Sequence, residues 1–257
     1  MLMRKAMTAV LMMLIATCSV FAKERVFIFE AHPDDIISSL GTSLLMRDKF
    51  ELHVCVFTYG ERGLGEEGFR NGTTKAKRMK EEEAVCAALG ATLHWYGAED
   101  GNTWAEEAPC RRLAALLKDL KPRAVFGHWP IDVHNDHMMS AAVLQKAVKL
   151  AGIAPEFYFF EESFDSKGFP DVFYVDITAV AEEKMRLIRL YECQNAEDGM
   201  CKEEMRNSRN RAIRMWPFRS DGYAEAFAPF GGRAQGPCVF TEIPRPDKGG
   251  AQPAWGR

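Results

Sequence analysis

Six short segments of this chain are almost continuously apolar, and helical patterns separate most of them. A strand with one face in water alternates polar and apolar residues, so runs of this kind predict a sheet covered on both faces. The segments span residues 25–31, 51–58, 92–96, 124–128, 157–161 and 172–177. Strands that alternate with helices predict a Rossmann-like, doubly wound α/β fold with a mostly parallel sheet and helices on both faces.

The helical patterns carry their own end signals. Leucines recur at helical spacing from Leu113 to Leu120, and Pro122 prevents the pattern from continuing. An earlier pattern runs from Met79 to Leu89 and ends at Gly90. In a fold of this type ligands bind beyond the carboxyl ends of the strands. We therefore expect functional residues directly after strands.

The N-terminus has the pattern of a secretory signal peptide. Arg4 and Lys5 precede an apolar run over residues 6–20, and small residues frame a cleavage point after Ala22. The run is shorter than the roughly 20 residues of a membrane-spanning helix, and no later segment approaches that length. We expect residues 1–22 to be removed, no membrane span, and export to the periplasm or the extracellular medium. Lipid attachment at Cys18 is the less favoured alternative, because Thr17 is a poor fit to the small residue expected before it.

The mature chain has a mildly acidic balance. The formal charge of −3 loses two positive charges with Arg4 and Lys5 and becomes −5. Its basic residues are interleaved with acidic ones, which argues against nucleic acid and anionic membranes as partners. We predict a catalytic domain over residues 23–244. Residues 245–257 lack an apolar period and are expected to form a loosely ordered tail.

Signal-peptide removal leaves six cysteines in the chain. Cys55 and Cys86 fall in apolar patterns that favour buried free thiols. Cys193 and Cys201 are the best candidates for a disulfide in an oxidising compartment. No Cys-x-x-Cys spacing occurs, so a thiolate zinc site has little support.

Two polar clusters follow predicted strands. The sequence Ala-His-Pro-Asp-Asp occupies residues 31–35 after the first strand, and residues 128–137 after the fourth strand contain three histidines and two aspartates. A lone His-Pro-Asp is often only a capped turn. A doubly wound sheet, however, can place the two strands side by side, so the clusters converge. Three protein ligands and an open position make a catalytic zinc site.

These two motifs resemble those of the LmbE-like or PIG-L-like zinc-dependent de-N-acetylases, whose signatures are Ala-His-Pro-Asp-Asp and His-x-Asp-His. The resemblance continues through residues 60–63, 78–81 and 89–90 to residues 223–227, and so spans about residues 26–227. One departure is Cys193-Gln194, where relatives more often have Ser-Gln.

The resemblance implies a role for each matched residue. It assigns zinc to His32, Asp35 and His137, general-base catalysis to Asp34, an acid or oxyanion role to His134, and substrate contact to Arg78. A carboxylate beside a metal ligand can accept a proton without binding the metal itself. We further expect Asp136 to orient and charge-stabilise His134 as a third catalytic residue.

Other polar residues have less support. His128 and Asp132 lie at the same edge, where they either contact substrate or hold the loop. His53 and His94 fall within strand patterns and are expected to be packed. Residues 223–227 form either a lid or a packed edge.

The implied activity is hydrolysis of the acetamide of an N-acetylglucosamine-type sugar or glycoconjugate, with Zn²⁺ as cofactor. Two alternatives stay open: a zinc amidase for a larger acyl or peptide-like amide, and a non-catalytic, zinc-containing sugar-binding protein. Intact Asp34 and His134 argue against the second, because a binding protein needs neither.

Overall fold

The computed structural model describes residues 22–162, 165–170, 173–194, 199–215, 221–231 and 238–243. The predicted signal peptide up to residue 21 and the predicted tail at 245–257 lie outside this part, so both remain predictions. Within the described residues, none of the helices combines the length and the apolar character that crossing a membrane requires.

One mixed sheet organises the described chain. Its strands are β1 (Arg25–Glu30), β2 (Glu51–Thr58), β3 (Thr92–Ala98), β4 (Ala124–His128), β5 (Glu156–Phe160), β6 (Phe173–Asp176) and β7 (Ala224–Pro229), in the order β3-β2-β1-β4-β5-β7-β6. Strands β1 to β5 pair in parallel, and β7 pairs antiparallel with β5 and β6. The predicted α/β fold is confirmed. Of the two alternatives for residues 223–227, the packed edge is correct and the lid is not, because residues 224–228 are buried in strand β7.

Helices cover both faces of the sheet. They are α1 (Leu40–Met46), α2 (Glu66–Arg70), α3 (Thr73–Leu89), α4 (Glu107–Leu120), α5 (Asn135–Ala151), α6 (Ala181–Ile188) and α7 (Cys201–Met215). As predicted, α3 ends at Gly90, whose φ of 77° favours glycine, and α4 ends before Pro122.

Strand β1 shows how both faces are buried. Val26 and Ile28 pack in one apolar cluster with residues of α1, α3 and α6. Phe27 and Phe29 point the other way and pack with residues of α4 and α5. Successive side chains of a strand alternate between faces, so a strand covered twice must be apolar throughout.

The predicted disulfide between Cys193 and Cys201 is wrong, whereas Cys55 and Cys86 are buried free thiols, as predicted. Cys193 and Cys201 form no disulfide with each other: Cys193 donates to Glu81, and Cys201 donates to the backbone carbonyl of Met185. Carboxylate and carbonyl acceptors therefore satisfy the two thiols separately.

The histidines of the strand patterns are packed, as predicted. His53 on β2 lies with its Nδ1 atom 3.0 Å from Nε2 of His94 on β3. The two rings stack on each other, and neither belongs to the metal motifs.

Candidate metal centre

Two buried carboxylates accept backbone hydrogen bonds from the loop after β1. Glu30 accepts the backbone N–H of Ile36 at 2.6 Å, and Glu82 of α3 accepts that of Asp34 at 3.2 Å. Asp34 has a φ of 113°, a conformation that non-glycine residues rarely adopt. The surrounding structure therefore imposes the shape of this loop.

The three predicted ligands converge on one oxygen atom. Oδ2 of Asp35 lies 3.3 Å from Nδ1 of His32 and 3.6 Å from Nε2 of His137, and all three side chains are buried. Two ligands about 2.0–2.1 Å from a tetrahedral zinc ion lie about 3.4 Å apart. The two distances to Asp35 and the donor types therefore fit such an ion, and among the described residues His32 and His137 also group with His134, and Asp35 and His137 with His128, within 4.8 Å.

Each histidine of the triad has a carboxylate on its other ring nitrogen. Nε2 of His32 lies 3.2 Å from Asp136 and 3.5 Å from Asp100, and Nδ1 of His137 lies 3.2 Å from Asp132. Contacts of this kind fix the tautomer and the orientation of metal-binding histidines. They leave Nδ1 of His32 and Nε2 of His137 facing Asp35.

The same carboxylates control how these histidines titrate in the metal-free protein. Burial lowers the pKa of His137, but Asp35 and Asp132 outweigh burial and raise that pKa to about 9. Burial likewise lowers the pKa of His32, and hydrogen bonds with Asp100, Asp136 and Asp35 raise it well above its ordinary value. Both shifts favour the protonated imidazole in the metal-free protein, so a metal ion bound by these rings would have to displace their protons.

The structure corrects the expected partner of Asp136. Its carboxylate contacts His32 rather than His134, and it accepts hydrogen bonds from the Gly101 N–H at 2.8 Å and the Thr103 hydroxyl at 2.5 Å. Asp136 sits in the first turn of α5, and the loop after β3 folds over it. Tertiary packing of that loop turns the carboxylate toward His32.

His134 caps helix α5. Its Nδ1 accepts the backbone N–H of Asp136 at 3.2 Å, so the neutral ring carries its proton on Nε2. Burial, with the charges of His32 and His137, lowers the pKa of His134. Its ring centroid lies 4.7 Å from those of both histidines. A half-buried, neutral hydrogen-bond donor thus stands beside the triad.

Asp34 forms an ion pair instead of joining the triad. Its Oδ1 lies 2.7 Å from Nη2 of Arg78, which also donates to the backbone carbonyls of Gly60 and Pro33. Burial raises the pKa of Asp34 to about 7; Arg78 opposes this rise, and the charge of Asp35 adds to it. A carboxylate with a pKa near neutrality is suited to general-base catalysis.

From the sequence alone, Arg78 would be interpreted as a solvent-exposed charge on a helix. Its side chain is buried in the structure. It lines a cavity of about 220 Å³ together with His32, Arg62, Gly63, Asp100 and His134. Asp100 was missed from the sequence. It lies two residues beyond the end of β3, and this position after a strand was the only available signal.

His128 and Asp132 hold the loops rather than line the cavity. His128 is fully buried, stacks on His137 and accepts the backbone N–H of Ala31 at 3.0 Å. Burial and the charge of His137 lower its pKa to about 4. Asp132 accepts the backbone N–H of His134 and the hydroxyl of Ser166, besides its contact with His137.

A second cavity, of about 330 Å³, opens on the other side of Asp34 and Asp35. Its wall is strongly acidic. The lining residues are Asp34, Asp35, Ile37, Glu162, Asp165, Met200, Glu203, Glu204 and Asn207. Burial, with the charge of Asp35, raises the pKa of Glu162 to about 8. This wall offers hydrogen-bond acceptors and carries no arginine or lysine.

The fold and the site together define a class: an α/β protein with a buried His/Asp cluster, able to hold a metal, at the carboxyl edge of a mostly parallel sheet. Part of the chain matches the model of the PIG-L (LmbE-like) de-N-acetylase family. The family model, described as GlcNAc-PI de-N-acetylase, matches residues 27–148. That stretch contains His32, Asp35 and His137.

The chain is similar to proteins of two reaction types. It is 28% identical over 184 residues to 4-oxalmesaconate hydratase of Pseudomonas putida, covering 63% of this chain and 70% of the relative. The crystal structure of a 4-carboxy-2-hydroxymuconate hydratase from Pseudomonas putida matches with a TM-score of 0.71 at 21% identity, covering 84% of this chain and 99% of that one.

A deacetylase has the same fold. The N,N'-diacetylchitobiose deacetylase of Pyrococcus horikoshii matches with a TM-score of 0.67 at 22% identity, covering 80% of this chain and 84% of that one. The relatives are thus de-N-acetylases and related hydratases.

Proposed function

We propose that this protein is a zinc-dependent hydrolase that removes the acetyl group from an N-acetylglucosamine-type sugar or glycoconjugate, releasing acetate and a free amine. The observation that carries the proposal is the convergence of His32 and His137 on Asp35, with Asp34 beside them but paired to Arg78. In this arrangement Asp35 and the two histidines are available to bind a metal, and Asp34 is available to act as a base.

Zinc bound by the triad would polarise the amide carbonyl and lower the pKa of a water molecule. Asp34 would accept a proton from the attacking water as the water oxygen bonds to the amide carbon, because burial raises the pKa of Asp34 to about 7. His134 donates a hydrogen bond from Nε2–H to the carbonyl oxygen as negative charge develops there. The proton held by Asp34 then reaches the departing nitrogen, which leaves as an amine.

The similarity to hydratases makes addition of water to a carbon–carbon double bond a second candidate reaction. A carboxymuconate carries several carboxylates. Arg62 and Arg78 of the 220 Å³ cavity can pair with such carboxylates, whereas Asp100 of the same cavity can accept a hydrogen bond from a sugar hydroxyl. The test therefore includes substrates of both reaction types.

A substrate panel tests the proposal. Purified protein reconstituted with zinc is incubated with N-acetylated sugars, longer-acyl amides and 4-oxalmesaconate, and both acetate and product are quantified. Acetate from N-acetylated sugars supports the proposal. Cleavage confined to longer acyl groups would favour the amidase, and turnover confined to 4-oxalmesaconate would favour the hydratase.

We also propose that the reaction takes place outside the cytoplasm. The support is the sequence pattern of residues 1–22. The substrate is then an envelope, dietary or extracellular glycan rather than a cytosolic precursor.

A further inference from the structure

Trp104 is the most exposed large apolar side chain among the described residues, at 64%. It lies on the loop that follows β3, between Thr103 and the start of α4 at Glu107. Single exposed apolar residues are common on proteins. Trp104 differs from such residues because it lies close to the candidate metal centre along the chain.

The backbone beside Trp104 is fixed to the metal centre. Thr103 is buried and donates its hydroxyl to Asp136, which in turn contacts His32. The side-chain amide of Asn135 donates to the Thr103 carbonyl at 3.4 Å. Trp104 is therefore the sequence neighbour of Thr103, whose hydroxyl bonds to Asp136, and Asp136 contacts the predicted metal ligand His32.

The indole itself is also oriented. Its Nε1–H donates to Oδ1 of Asn102 at 3.4 Å. A rigid aromatic side chain that is already exposed loses little entropy when a ligand covers it. Trp104 is not among the residues that line the 220 Å³ cavity, although Asp100 of the same loop is. It would thus contact a part of the substrate that lies outside the cavity.

The size of the 220 Å³ cavity indicates which part of the substrate lies outside it. At about 220 Å³ the cavity is smaller than the roughly 300 Å³ at which pockets for drug-sized ligands begin. It has room for one sugar ring. A longer substrate must leave the cavity across its rim, where the loop after β3 lies.

The chemistry of the loop favours a sugar over an anionic group. Residues 99–107 contain four carboxylates and no lysine or arginine. A pyranose presents an apolar face to an aromatic ring and hydroxyls to carboxylates, whereas Arg62, the arginine that contacts this loop, is already paired with Glu99.

We propose that Trp104 is a stacking platform for the sugar ring next to the N-acetylated one. It would act as a specificity-determining residue that favours disaccharides and longer glycans over monosaccharides. This inference rests on the proposed deacetylase function.

The test compares kcat and KM of the zinc-loaded protein for methyl N-acetylglucosaminide and N,N'-diacetylchitobiose. In Trp104→Ala we expect the KM for the disaccharide to rise about 5- to 20-fold, the size of one lost aromatic contact, with kcat nearly unchanged. The monosaccharide constants should stay as in the wild type, and Trp104→Phe should restore most of the affinity.

Phe230→Ala is the matched control. Phe230 is 54% exposed, and its N–H bonds to Phe157 in the first half of β5, at the opposite edge of the sheet. This variant should leave both substrates unaffected.

Two results would overturn the platform: equal losses for both substrates in Trp104→Ala, or no loss for either. Equal losses would mean that Trp104 only positions the metal site. Absence of acetate release by the wild type from any N-acetylated sugar would instead refute the proposed function.

Discussion

At the scale of single residues, two adjacent aspartates look alike in sequence and have different surroundings in the structure. Asp35 faces His32 and His137, whereas Asp34 faces Arg78. Asp35→Ala should lose zinc and activity together, because a ligand is gone. Asp34→Asn should keep zinc and lose about 10²- to 10⁴-fold in kcat, because the amide cannot act as a base. Zinc stoichiometry and acetate release measure both.

His134→Ala serves as the control for that comparison, since it should also retain zinc. Near-native activity of Asp34→Asn would show that the base is elsewhere. Loss of zinc by Asp34→Asn as complete as in Asp35→Ala would show that Asp34 is a ligand.

Metal binding by the metal-free protein should depend steeply on pH. The pKa values of His32 and His137 are raised above their ordinary range, so both rings hold a proton at neutral pH and must lose it to bind zinc. Zinc affinity should therefore rise with pH from neutrality through the pKa of His137, at about 9. Calorimetry in buffers of different ionisation enthalpy should record release of about two protons per zinc ion near pH 7. Release of none would mean that these rings are neutral before the metal arrives.

At the scale of elements, a buried lysine ties α6 to α7 and β7. Lys184 is fully buried, and its Nζ lies 2.6 Å from Glu204 and 2.7 Å from Glu225. Glu225 also accepts the backbone N–H groups of Gly41 and Thr42 at the start of α1. Lys184→Met should destabilise the fold by about 3–5 kcal/mol, because it removes the ammonium group that neutralises two buried carboxylates. Urea denaturation measures the change.

Arg186 on the same helix supplies the control. It pairs with Glu183, but its side chain is 71% exposed, so Arg186→Met should cost less than about 1 kcal/mol. Equal effects of the two substitutions would show that burial of Lys184 does not decide the stability of this region.

At the scale of the whole molecule, the described chain begins on the edge of the sheet that lies away from the metal centre. Lys23 and Arg25 line a cavity there with Pro122 and Pro155, whereas the His/Asp cluster lies at the carboxyl ends of β1 and β4. Cleavage after Ala22 should therefore leave the site intact, and the mature protein should begin at Lys23. Mass spectrometry of exported protein checks this, and a lipid on Cys18 would contradict it.

Local chemistry alone predicted most of the fold. Continuous apolar runs mark strands covered on both faces, and Gly90 and Pro122 end helices by backbone geometry that no distant contact alters. The ligand motifs were also visible, because each follows a strand directly. Strand β7 was not assigned, since its alternation of Ala with Glu225 and Phe227 gives a weak pattern for a buried strand.

Tertiary structure decided what each side chain touches. The Asp136 carboxylate lies 3.2 Å from the His32 ring although the two residues are 104 positions apart in sequence, so only the packing of the β3 loop turns it to that ring rather than to His134. Asp100 joins the site, and Arg78 becomes buried, for the same reason. The sequence by itself determined the order of strands and helices and the residue types at the sheet edge, because these depend on neighbours along the chain. The pairing of ring nitrogens with carboxylates depends on contacts between loops, and only the folded chain brings those loops together.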